Sequence, residues 1–355
     1  MMKGADTRTL LNPHGDVRLL YPSEAVHRWT DSERFLNIID DPWVRLFVKL
    51  QHLVTISTYN FWVSRNCMTM HLPITTHAVS SPMGLGSDSR PVRIELFGKE
   101  TFLADSMQFM LEYGCRFNPA GCFYVMPSFR GEDADSTHLC QFYHSEVELC
   151  VGLEQSMQVA DEYFRYLTEA VLERYADAFR KLNIGSEHMC KLLSTSSIPR
   201  LRFDEAARIL GKDSRYVEDR VGWRTLTRAG EIALLKHCNG PVWVTHWDHL
   251  AVPFYQAYAD ESRRIAANAD FLIGVGEVIG LGERHQSAPE VSAALDEHGV
   301  DHSAYQWYLG LKESKPLRTS GFGMGVERFL LWVLRHAEIR DLQVLPRFNG
   351  QSIVP

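Results

Sequence analysis

The sequence predicts an α+β fold in which a mostly antiparallel sheet is flanked by helices. Two strand-like runs, at 121–130 and 141–151, enclose the polar turn "GEDADSTH" and together predict an antiparallel hairpin. Amphipathic segments stand on both sides of this hairpin, and two glycine-containing, strand-like runs follow towards the C-terminus. The order of helix, antiparallel strands, helix, strands and helix is typical of α+β proteins rather than of a doubly wound parallel sheet.

The N-terminal part of the chain divides into an arm, a helix, a strand and a loop. Residues 1–34 are polar and punctuated by proline and glycine, so we interpret them as an arm, with 35–355 as one domain. Apolar residues recur at helical spacing over 42–64, just after the helix-starting residue Asp41. The segment "CMTMHLPITT" predicts a strand that ends at its proline, and "SSPMGLGSDSRPV" predicts a mobile, glycine- and serine-rich loop.

The second strand of the hairpin carries polar residues on one face. Because side chains alternate between the two faces of a strand, Phe142, His144, Glu146 and Glu148 share one face, and apolar residues share the other. Two acids in line with an aromatic ring predict the wall of a polar pocket. A solvent-facing strand surface is the alternative that this pattern leaves open.

The C-terminal half contains a long helix and two glycine-rich runs. An amphipathic pattern predicts a helix over 154–182, a mixed region follows, and "GPVWVTHW" predicts a short strand. The run "DFLIGVGEVIGLGERH" places Asp270, Glu277 and Arg284 at steps of seven residues. In "SGFGMGVERFLLWVLRH", which spans 320–336, three alternating glycines lead into an apolar helix.

Composition argues against several classes of protein. The chain has 355 residues and a net charge of −7, so no overall basic field favours nucleic acid binding. No apolar run approaches the roughly 18 residues that cross a membrane, and the N-terminus has no apolar signal-peptide core. The seven cysteines are widely spread and form no Cys-x-x-Cys pair, which favours neither a zinc site nor a disulfide framework. We therefore expect a cytoplasmic protein without a membrane partner.

Charged residues near the glycines predict a site for a polyphosphate. A glycine run before a helix lets an anion approach the positive helix end, but this run fits neither a dinucleotide turn nor a P-loop. Arg130 ends a predicted strand and Arg328 begins a predicted helix, with Asp270 and Glu277 between them in sequence. Arginines that converge with acids suit a polyphosphate and its Mg²⁺. Taken alone, the glycines could instead allow close packing of a buried helix. Taken alone, each arginine could instead form a surface salt bridge.

Five segments in this order resemble the class II aminoacyl-tRNA synthetases, in particular the asparaginyl and aspartyl subgroup. "FRGEDADSTHLCQFYHSEVEL" is similar to motif 2 of that family and "SGFGMGVERFLL" to motif 3, whereas "CMTMHLPITT" is a weaker match to motif 1. "LADSMQFMLE" resembles the amino-acid-binding Ser-x-Gln segment, and "GEVIGLGERH" resembles the family's Gly-Glu-x-x-Gly-Gly-x-x-Arg segment. The likeness covers 35–345 approximately, and it implies the class II synthetase core fold with 35–355 as the catalytic domain.

The resemblance implies a nucleotide site with two catalytic arginines. Arg130 would hold the α-phosphate of ATP, and Arg328 would cover one face of adenine and reach the γ-phosphate. Phe142 would stack on the other face of the base, and the glycines of motif 3, Gly321 included, would leave room for ATP. The implied ATP-binding residues are Arg130, Glu132, His138, Phe142, Gly323, Gly325 and Arg328.

The resemblance also implies a metal site and an amino acid site. Asp270 and Glu277 would bind Mg²⁺ between the phosphates. Leu111 stands where aspartate-specific members carry a lysine, which favours a neutral amide, or an aspartate bound in another orientation. The implied amino-acid-binding residues are Ser106, Gln108, Glu146 and Arg284.

Departures from the family bear on the acceptor of the acyl group. An OB domain that binds the anticodon needs on the order of 80 residues ahead of motif 1, and roughly forty precede it here, so we expect none. The motif 2 loop is shorter than in asparaginyl enzymes, and Thr137 replaces the arginine expected before His138. The basic residues of 200–228 are interleaved with acids, which indicates a solvated surface rather than an RNA track.

These departures favour an AMP-forming ligase that activates aspartate or asparagine as an acyl-adenylate and passes the acyl group to ammonia or a small amine. Stand-alone asparagine synthetases of this family work in that way. Two alternatives stay open: a ligase that charges tRNA without an anticodon-binding domain, and a non-catalytic paralogue used for binding or regulation. Motif 1 forms the dimer interface in this class, and 42–63 has a broad apolar face, so we expect a homodimer.

Overall fold

A computed structural model of the chain describes residues 9–11, 17–19, 28–80, 85 and 89–350. Most of the predicted N-terminal arm and much of the predicted loop at 80–92 lie outside these residues. Ten α-helices fall within them, in chain order: α1 (Arg34–Asn37), α2 (Pro42–Ser64), α3 (Gln108–Gly114), α4 (Leu153–Lys181), α5 (Glu187–Ser194), α6 (Phe203–Leu210), α7 (Arg228–His237), α8 (Ala288–His298), α9 (Gln306–Ser314) and α10 (Val326–Val333).

Fifteen strands fall within the same described ranges. In chain order they are β1 (Thr9–Leu11), β2 (Val17–Leu19), β3 (Met68–Thr69), β4 (Thr75–Thr76), β5 (Val92–Leu96), β6 (Lys99–Leu103), β7 (Cys122–Phe129), β8 (Gln141–Leu149), β9 (Arg200–Arg202), β10 (Val217–Arg220), β11 (Trp223–Leu226), β12 (Val242–Thr245), β13 (Asn268–Ile273), β14 (Gly276–Glu283) and β15 (Ser320–Gly325).

One eight-stranded sheet forms the centre of the fold, in the order β3-β7-β8-β15-β14-β13-β12-β9. Its inner strands, from β7 to β12, are antiparallel to one another, and the edge strands β3 and β9 pair in parallel with their neighbours. A second sheet, β4-β6-β5, is antiparallel throughout. The predicted α+β fold with a mostly antiparallel sheet flanked by helices is therefore confirmed.

The two long helices form where the sequence predicts them. Helix α2 begins at Pro42 because the carboxylate of Asp41 accepts hydrogen bonds from the backbone N–H groups of Trp43 and Val44, at 2.8 and 3.3 Å. Helix α4 matches the amphipathic pattern over 154–182 to within one residue at each end. Among the helices in the described ranges, none is long and apolar enough to cross a membrane.

Helices α2 and α4 cover one face of the central sheet. Trp62 of α2 packs against Phe123 of β7 and Phe322 of β15, with ring centroids 6.4 and 5.8 Å apart. Phe164 of α4 packs against Phe271 of β13 at 5.0 Å. Side chains alternate along a strand, so the polar residues and glycines between these aromatic residues point to the opposite face. That opposite face carries the candidate site.

Segment 67–76 differs from the single strand that the sequence predicts. Met68 and Thr69 form β3, parallel to β7, whereas Thr75 and Thr76 form β4 in the smaller sheet. Pro73, which the prediction places at the end of one strand, lies between the two, and its missing N–H suits the break. The predicted strand end at Pro73 is wrong because β3 already ends at Thr69, and the residues after the proline join the other sheet.

The start of the described main body packs against its C-terminal end. The backbone N–H of Trp29 donates to Asp341 Oδ1 at 2.8 Å, and Arg34 Nη2 donates to the carbonyl oxygens of Asp341 and Gln343 at 2.8 and 3.0 Å. Residues 28–34 are therefore fixed to the domain that follows them. The division into an arm of 1–34 and a domain of 35–355 stays a prediction.

Candidate active site

The register of β8, β15, β14 and β13 brings candidate residues together on the uncovered face of the sheet. Residues directly opposite each other in antiparallel strands point to the same face. Glu146 of β8 lies opposite Gly323, Gly323 opposite Gly280, and Gly280 opposite Asp270 of β13. The site is thus a groove with a glycine floor between the acids of β8 and the acid of β13. The neighbouring row across the sheet is Glu148, Gly321, Gly282 and Asn268.

The two acids of β8 are buried, which excludes the alternative of a solvent-facing strand surface. Glu146 is 3% exposed and Glu148 is 0% exposed. A buried carboxylate stays charged only where cations or hydrogen-bond donors face it. Different groups face the two acids, so Glu146 and Glu148 belong to two distinct polar sites.

Glu148 belongs to a buried cluster with Arg284 and Gln108. Arg284 Nε and Nη2 donate to Glu148 Oε1 and Oε2 at 3.1 and 3.0 Å, and Gln108 Nε2 donates to Oε2 at 2.6 Å. Burial raises the pKa of Glu148, and the Arg284 charge opposes that rise. Burial alone would lower the pKa of Arg284, but Glu148 beside it raises the pKa above the ordinary value. The cluster offers a fixed donor and a fixed acceptor at one end of the groove.

Glu146 is a buried acid that is held by hydroxyl groups. Ser106 Oγ donates to Glu146 Oε2 at 2.6 Å, and the Tyr124 hydroxyl donates to the same oxygen. Burial is the main cause that raises the pKa of Glu146 to about 8. His144 Nδ1 lies 3.1 Å from Glu146 Oε1, but burial lowers the pKa of His144 to about 3, so its ring is neutral and supplies no charge. A cation bound here would favour the carboxylate form.

The residues implied for ATP line a single cavity of about 360 Å³. Glu277 lines it as well, at the side nearest β14. The rings of Phe142 and His144 meet edge to face in its wall, with centroids 4.7 Å apart. The structure therefore brings together residues that are far apart in the chain, from Arg130 to Arg328. The implied residues that line the cavity are Arg130, Glu132, His138, Phe142, Gly323, Gly325 and Arg328.

Two arginines bring positive charge to this cavity. The guanidinium of Arg130 lies 5.4 Å from the ring centroid of Phe142, and its Nε is buried with no hydrogen-bond partner. Arg328 Nη1 donates to the backbone carbonyl of Glu277 at 2.8 Å. Burial, together with neighbouring arginines, lowers the pKa of Arg328 to about 10. The cavity is therefore suited to a polyanion, which would neutralise these charges.

Two acids stand beside the cavity where the resemblance implies Mg²⁺. A Cβ built on Gly280 would lie 2.9 Å from Glu277 Oε1 and 3.9 Å from Asp270 Oδ1, so both carboxylates converge above this glycine. Burial, with the charges of Glu277 and Glu231, raises the pKa of Asp270 well above its ordinary value. No cluster of three or more metal-binding side chains occurs in the described part of the chain. Two carboxylates with the remaining ligands from phosphate and water are a usual arrangement for Mg²⁺, so this pair fits that ion.

The glycines of β15 serve different purposes. A Cβ on Gly321 would overlap Glu148 Oε2, the carbonyl of Val147 and Gln108 Nε2, whereas a Cβ on Gly323 would meet Glu146 Oε1 at 3.0 Å. Gly325 has ordinary contact distances of 3.7 Å or more around its Cβ position. Gly321 is thus required by the Gln108–Glu148 contact, not by the room for ATP that the resemblance implies.

Sequence patterns miss the two charged residues that α7 contributes to the cavity, Arg228 and Glu231. Both lie in the first turn of α7, where Arg228 Nη1 donates to Glu231 Oε2 at 2.9 Å. Both line the cavity formed by the residues implied for ATP, which we name the nucleotide cavity. Arg228 is the last residue of a stretch whose charges indicate a solvated surface, so it is an exception to that interpretation. Thr227 caps the helix through a hydrogen bond from the N–H of Gly230, and this cap is the one sequence signal that could have located the turn.

The β7–β8 loop is held against the cavity by residues from other parts of the chain. Glu132 Oε2 accepts a hydrogen bond from the backbone N–H of Arg90 at 3.0 Å, and the N–H of Ile339 donates to the carbonyl of Ser136 at 2.9 Å. Three acids and no lysine or arginine occur over 131–140. The loop is therefore fixed in place and negatively charged.

Comparison with known proteins finds a matching family over most of the chain. The family model for tRNA synthetases class II (D, K and N) matches residues 28–349. The asparagine–tRNA ligase of Colwellia psychrerythraea is 30% identical over 262 residues, which are 71% of this chain and 56% of that protein. The asparagine–tRNA ligase of Xanthomonas euvesicatoria pv. vesicatoria is 28% identical over 266 residues, which are 73% of this chain and 57% of that protein. The chain thus spans just over half the length of these curated relatives.

A solved structure with a similar fold is the asparaginyl-tRNA synthetase from Pyrococcus horikoshii complexed with asparaginyl-adenylate. The TM-score is 0.81 at 25% sequence identity, and the match covers 91% of this chain and 73% of that chain. A putative aspartyl-tRNA synthetase from Leishmania major Friedlin matches with a TM-score of 0.75 at 18% identity, which bears on the fold alone.

We predict that Gly321→Ala destabilises the protein and Gly310→Ala does not. The new Cβ at 321 overlaps the Glu148 and Gln108 contacts, so we expect the free energy of unfolding to fall by about 1–3 kcal/mol. Gly310 lies in α9 with no atom within 4 Å of its Cβ position, so alanine there should raise the free energy of unfolding by about 0.5–1 kcal/mol. Urea unfolding of the two variants checks this. Equal shifts in both would contradict the packing argument.

Proposed function

The chain belongs to the class II tRNA synthetases (D, K and N), and we propose that it activates asparagine with ATP and transfers the asparaginyl group to the 3′ end of a tRNA. Its fold is the class II synthetase core, an antiparallel sheet flanked by helices. The proposal has two parts: which amino acid is activated, and which acceptor receives the acyl group.

The observation that carries the choice of amino acid is the buried cluster of Arg284, Glu148 and Gln108. A side-chain amide has a carbonyl acceptor and an NH₂ donor at its two ends. Arg284 is placed to donate to the carbonyl oxygen, and Glu148 is placed to accept from the NH₂ group. An aspartate carboxylate in the same position would face the Glu148 charge in a buried setting and be repelled. The cluster therefore favours asparagine over aspartate.

The α-amino group would be held by the second buried acid. Glu146 faces the same groove as Glu148, two residues away on β8, and it has hydroxyl donors but no cation bonded to it within the described residues. An α-ammonium group would supply the missing positive charge and lower the pKa of Glu146 from its raised value of about 8. Ser106 would keep that carboxylate in position.

We assign a role in adenylate formation to several residues in and beside the cavity. An oxygen of the asparagine α-carboxylate attacks the α-phosphorus of ATP, and the bond to pyrophosphate breaks. Arg130 would stabilise the negative charge that develops on the α-phosphate, and Arg328 would hold the outer phosphates. Mg²⁺, held by Asp270 and Glu277, would supply charge neutralisation to the phosphates.

The comparisons favour tRNA as the acceptor. The sequence alone ranks ammonia or a small amine first. The curated relatives cited above are asparagine–tRNA ligases. One observation supports the small amine as a second candidate. The β7–β8 loop beside the cavity carries three acids and no lysine or arginine over 131–140, and these acids oppose the approach of nucleic acid phosphates.

An experiment in two stages tests the proposal. Amino-acid-dependent exchange of pyrophosphate into ATP is measured across all standard amino acids, and we expect asparagine to give the highest rate. AMP release is then followed with asparagine and either total tRNA, ammonia or small amines. Release that requires tRNA, together with asparagine recovered on tRNA, supports the proposal. Release with ammonia or an amine alone supports the second candidate, and no exchange with any amino acid indicates the non-catalytic alternative.

We predict that Glu148→Gln reduces the preference for asparagine over aspartate. The change removes the charge that repels aspartate and weakens the acceptor for the amide NH₂ group, so the ratio of the two kcat/KM values should fall by roughly tenfold or more. Glu154→Gln is the matched control because that side chain is 74% exposed. Circular dichroism melting of both variants separates loss of fold from loss of selectivity. An unchanged ratio in a folded Glu148→Gln protein would contradict the assignment.

We predict that Arg130→Ala abolishes pyrophosphate exchange in a folded protein. The change removes the donor to the reacting phosphate, and such a loss lowers kcat by roughly 10²–10³-fold. Arg45→Ala, at an exposed ion pair with Asp40, is the control and should keep normal exchange. Near-normal exchange by Arg130→Ala would show that the nucleotide site lies elsewhere.

We propose that the chain forms a two-fold homodimer through α2. Although most of its apolar residues are buried in the chain, Val48, Ile56 and Val63 are 41%, 47% and 58% exposed on this helix. Light scattering at micromolar concentration should give twice the mass of one chain, and Ile56→Asp should shift the protein towards monomer. Val221→Asp, at a residue that is 97% exposed, is the control and should stay dimeric. A stable monomer of the unaltered chain would contradict this proposal.

A further inference from the structure

A second cavity of about 490 Å³ adjoins the nucleotide cavity. It lies among α5, α7, the turn between β13 and β14, and the C-terminal end of α10. Buried and half-buried apolar side chains from these separate elements line it, as in pockets that hold small organic molecules. The apolar residues that line it are Leu192, Ile232, Leu235, Pro241, Ile273, Val275, Leu331 and Trp332.

The charges around this second cavity are of one sign. Lys191, Lys236, Arg228 and Arg335 line it, and no aspartate or glutamate does so among the described residues. The two arginines have acid partners outside the lining: Arg228 pairs with an acid of its own helix, and Arg335 lies 3.5 Å from the exposed carboxylate of Glu187. An apolar interior with basic groups at its edge is complementary to a molecule with an apolar body and an anionic head.

Polar atoms inside the cavity lack partners in the protein. His188 lines the cavity, and both of its ring nitrogens are buried without a hydrogen bond. Burial is the main cause that lowers the pKa of His188 to about 4, and the charge of Arg335 lowers it further, so the ring is neutral. Arg228 Nη2 is also buried without a hydrogen bond. Buried donors without a partner carry a free-energy cost that a bound ligand would remove.

Arg228 and Thr137 line both cavities and form the wall between them. Arg228 Nη1 donates to Glu231, which lines the nucleotide cavity, and Nη2 of the same guanidinium is buried without a hydrogen bond. A group that binds this guanidinium from the second cavity would act on a charge that also lines the nucleotide cavity. The two cavities therefore share one charge.

We propose that the second cavity binds a small amphipathic anion, with a carboxylate or phosphate head at Arg228 and an apolar body against Trp332 and α7. The added negative charge stands beside Arg228, which also lines the nucleotide cavity, and opposes the binding of ATP. By thermodynamic linkage, ATP weakens the binding of the anion by the same factor. An anionic amphiphile bound at this site would therefore inhibit activation of the amino acid. Binding in the cavity is independent of the proposed function, whereas the effect on ATP rests on it.

The experiment compares ten-carbon probes that differ in the head group alone. Binding of decanoate, decyl phosphate, decanol and decylamine to the full chain is measured by isothermal titration calorimetry, below the concentrations at which they form micelles. We expect at least one of the two anions to bind tenfold or more tightly than decanol, and decylamine to bind most weakly. The two anionic arms show whether the head is a carboxylate or a phosphate. Hydrogen exchange should show new protection in α5 and α7.

A matched pair of double variants tests the position of the site. Lys191→Gln with Lys236→Gln removes two basic groups at the edge of the cavity, and Lys181→Gln with Lys212→Gln removes two exposed lysines elsewhere. We expect a fivefold or greater loss of anion binding in the first variant and no loss in the second. ATP at saturation should weaken anion binding to the unaltered chain at least threefold.

Three results would overturn the proposal. The first is equal affinity for the anionic and neutral probes, which would indicate apolar adsorption only. The second is an equal loss of binding in the two double variants. The third is strong protection of α5 and α7 in the free chain that no probe changes, which would show that another part of the chain or a second copy covers the cavity.

Discussion

The buried ion pair between Arg284 and Glu148 is the interaction on which the rest of the site depends. Arg284 follows the end of β14 and Glu148 lies on β8, with β15 between them, so the arginine has to reach across a whole strand. This reach is possible because Gly321 of β15 has no side chain directly opposite Glu148. Loss of either charge would leave the other buried and alone, at a cost of roughly 3–5 kcal/mol. The pair therefore fixes the order and register of the three strands, and with them the position of every other group in the groove.

Residues from distant segments of the chain complete the site on this sheet. Arg228 and Glu231 come from α7, and the β7–β8 loop is tied to the chain near Ile339. These contacts fix the end of the groove where Arg228 forms part of the wall between the two cavities. A residue in that wall can contact a ligand in either cavity. Arg228 thus differs from Arg130 and Arg328, which line the nucleotide cavity without lining its neighbour.

The sequence predicts those parts of the site that depend on local pattern. Alternation along β8 places Glu146 and Glu148 on one face, and Asp41 marks the start of α2, because both effects act within a few residues. The strand at 67–76 is divided between two sheets, and Arg228 turns inward from a stretch with the charge pattern of a surface. Both outcomes are set by pairing and packing with residues far away in the chain. The reason for Gly321 is of the same kind, since its neighbour Gln108 comes from α3.

In the free protein, charged side chains in three parts of the groove have pKa values that are shifted towards their neutral forms. Burial and like charges raise the pKa of Asp270 and lower that of Arg328, while burial raises the pKa of Glu146. Ligands of opposite charge would relieve the shift in each part: an ammonium group at Glu146, phosphates at the arginines, and a metal ion at the acids. Glu146 lies opposite Gly323, which also lines the nucleotide cavity, so an amino acid held at Glu146 lies next to the phosphates. Its carboxylate would then be drawn towards Arg130, the direction in which attack on the α-phosphate has to occur. The electrostatic arrangement that would bind the two substrates would also orient them for reaction.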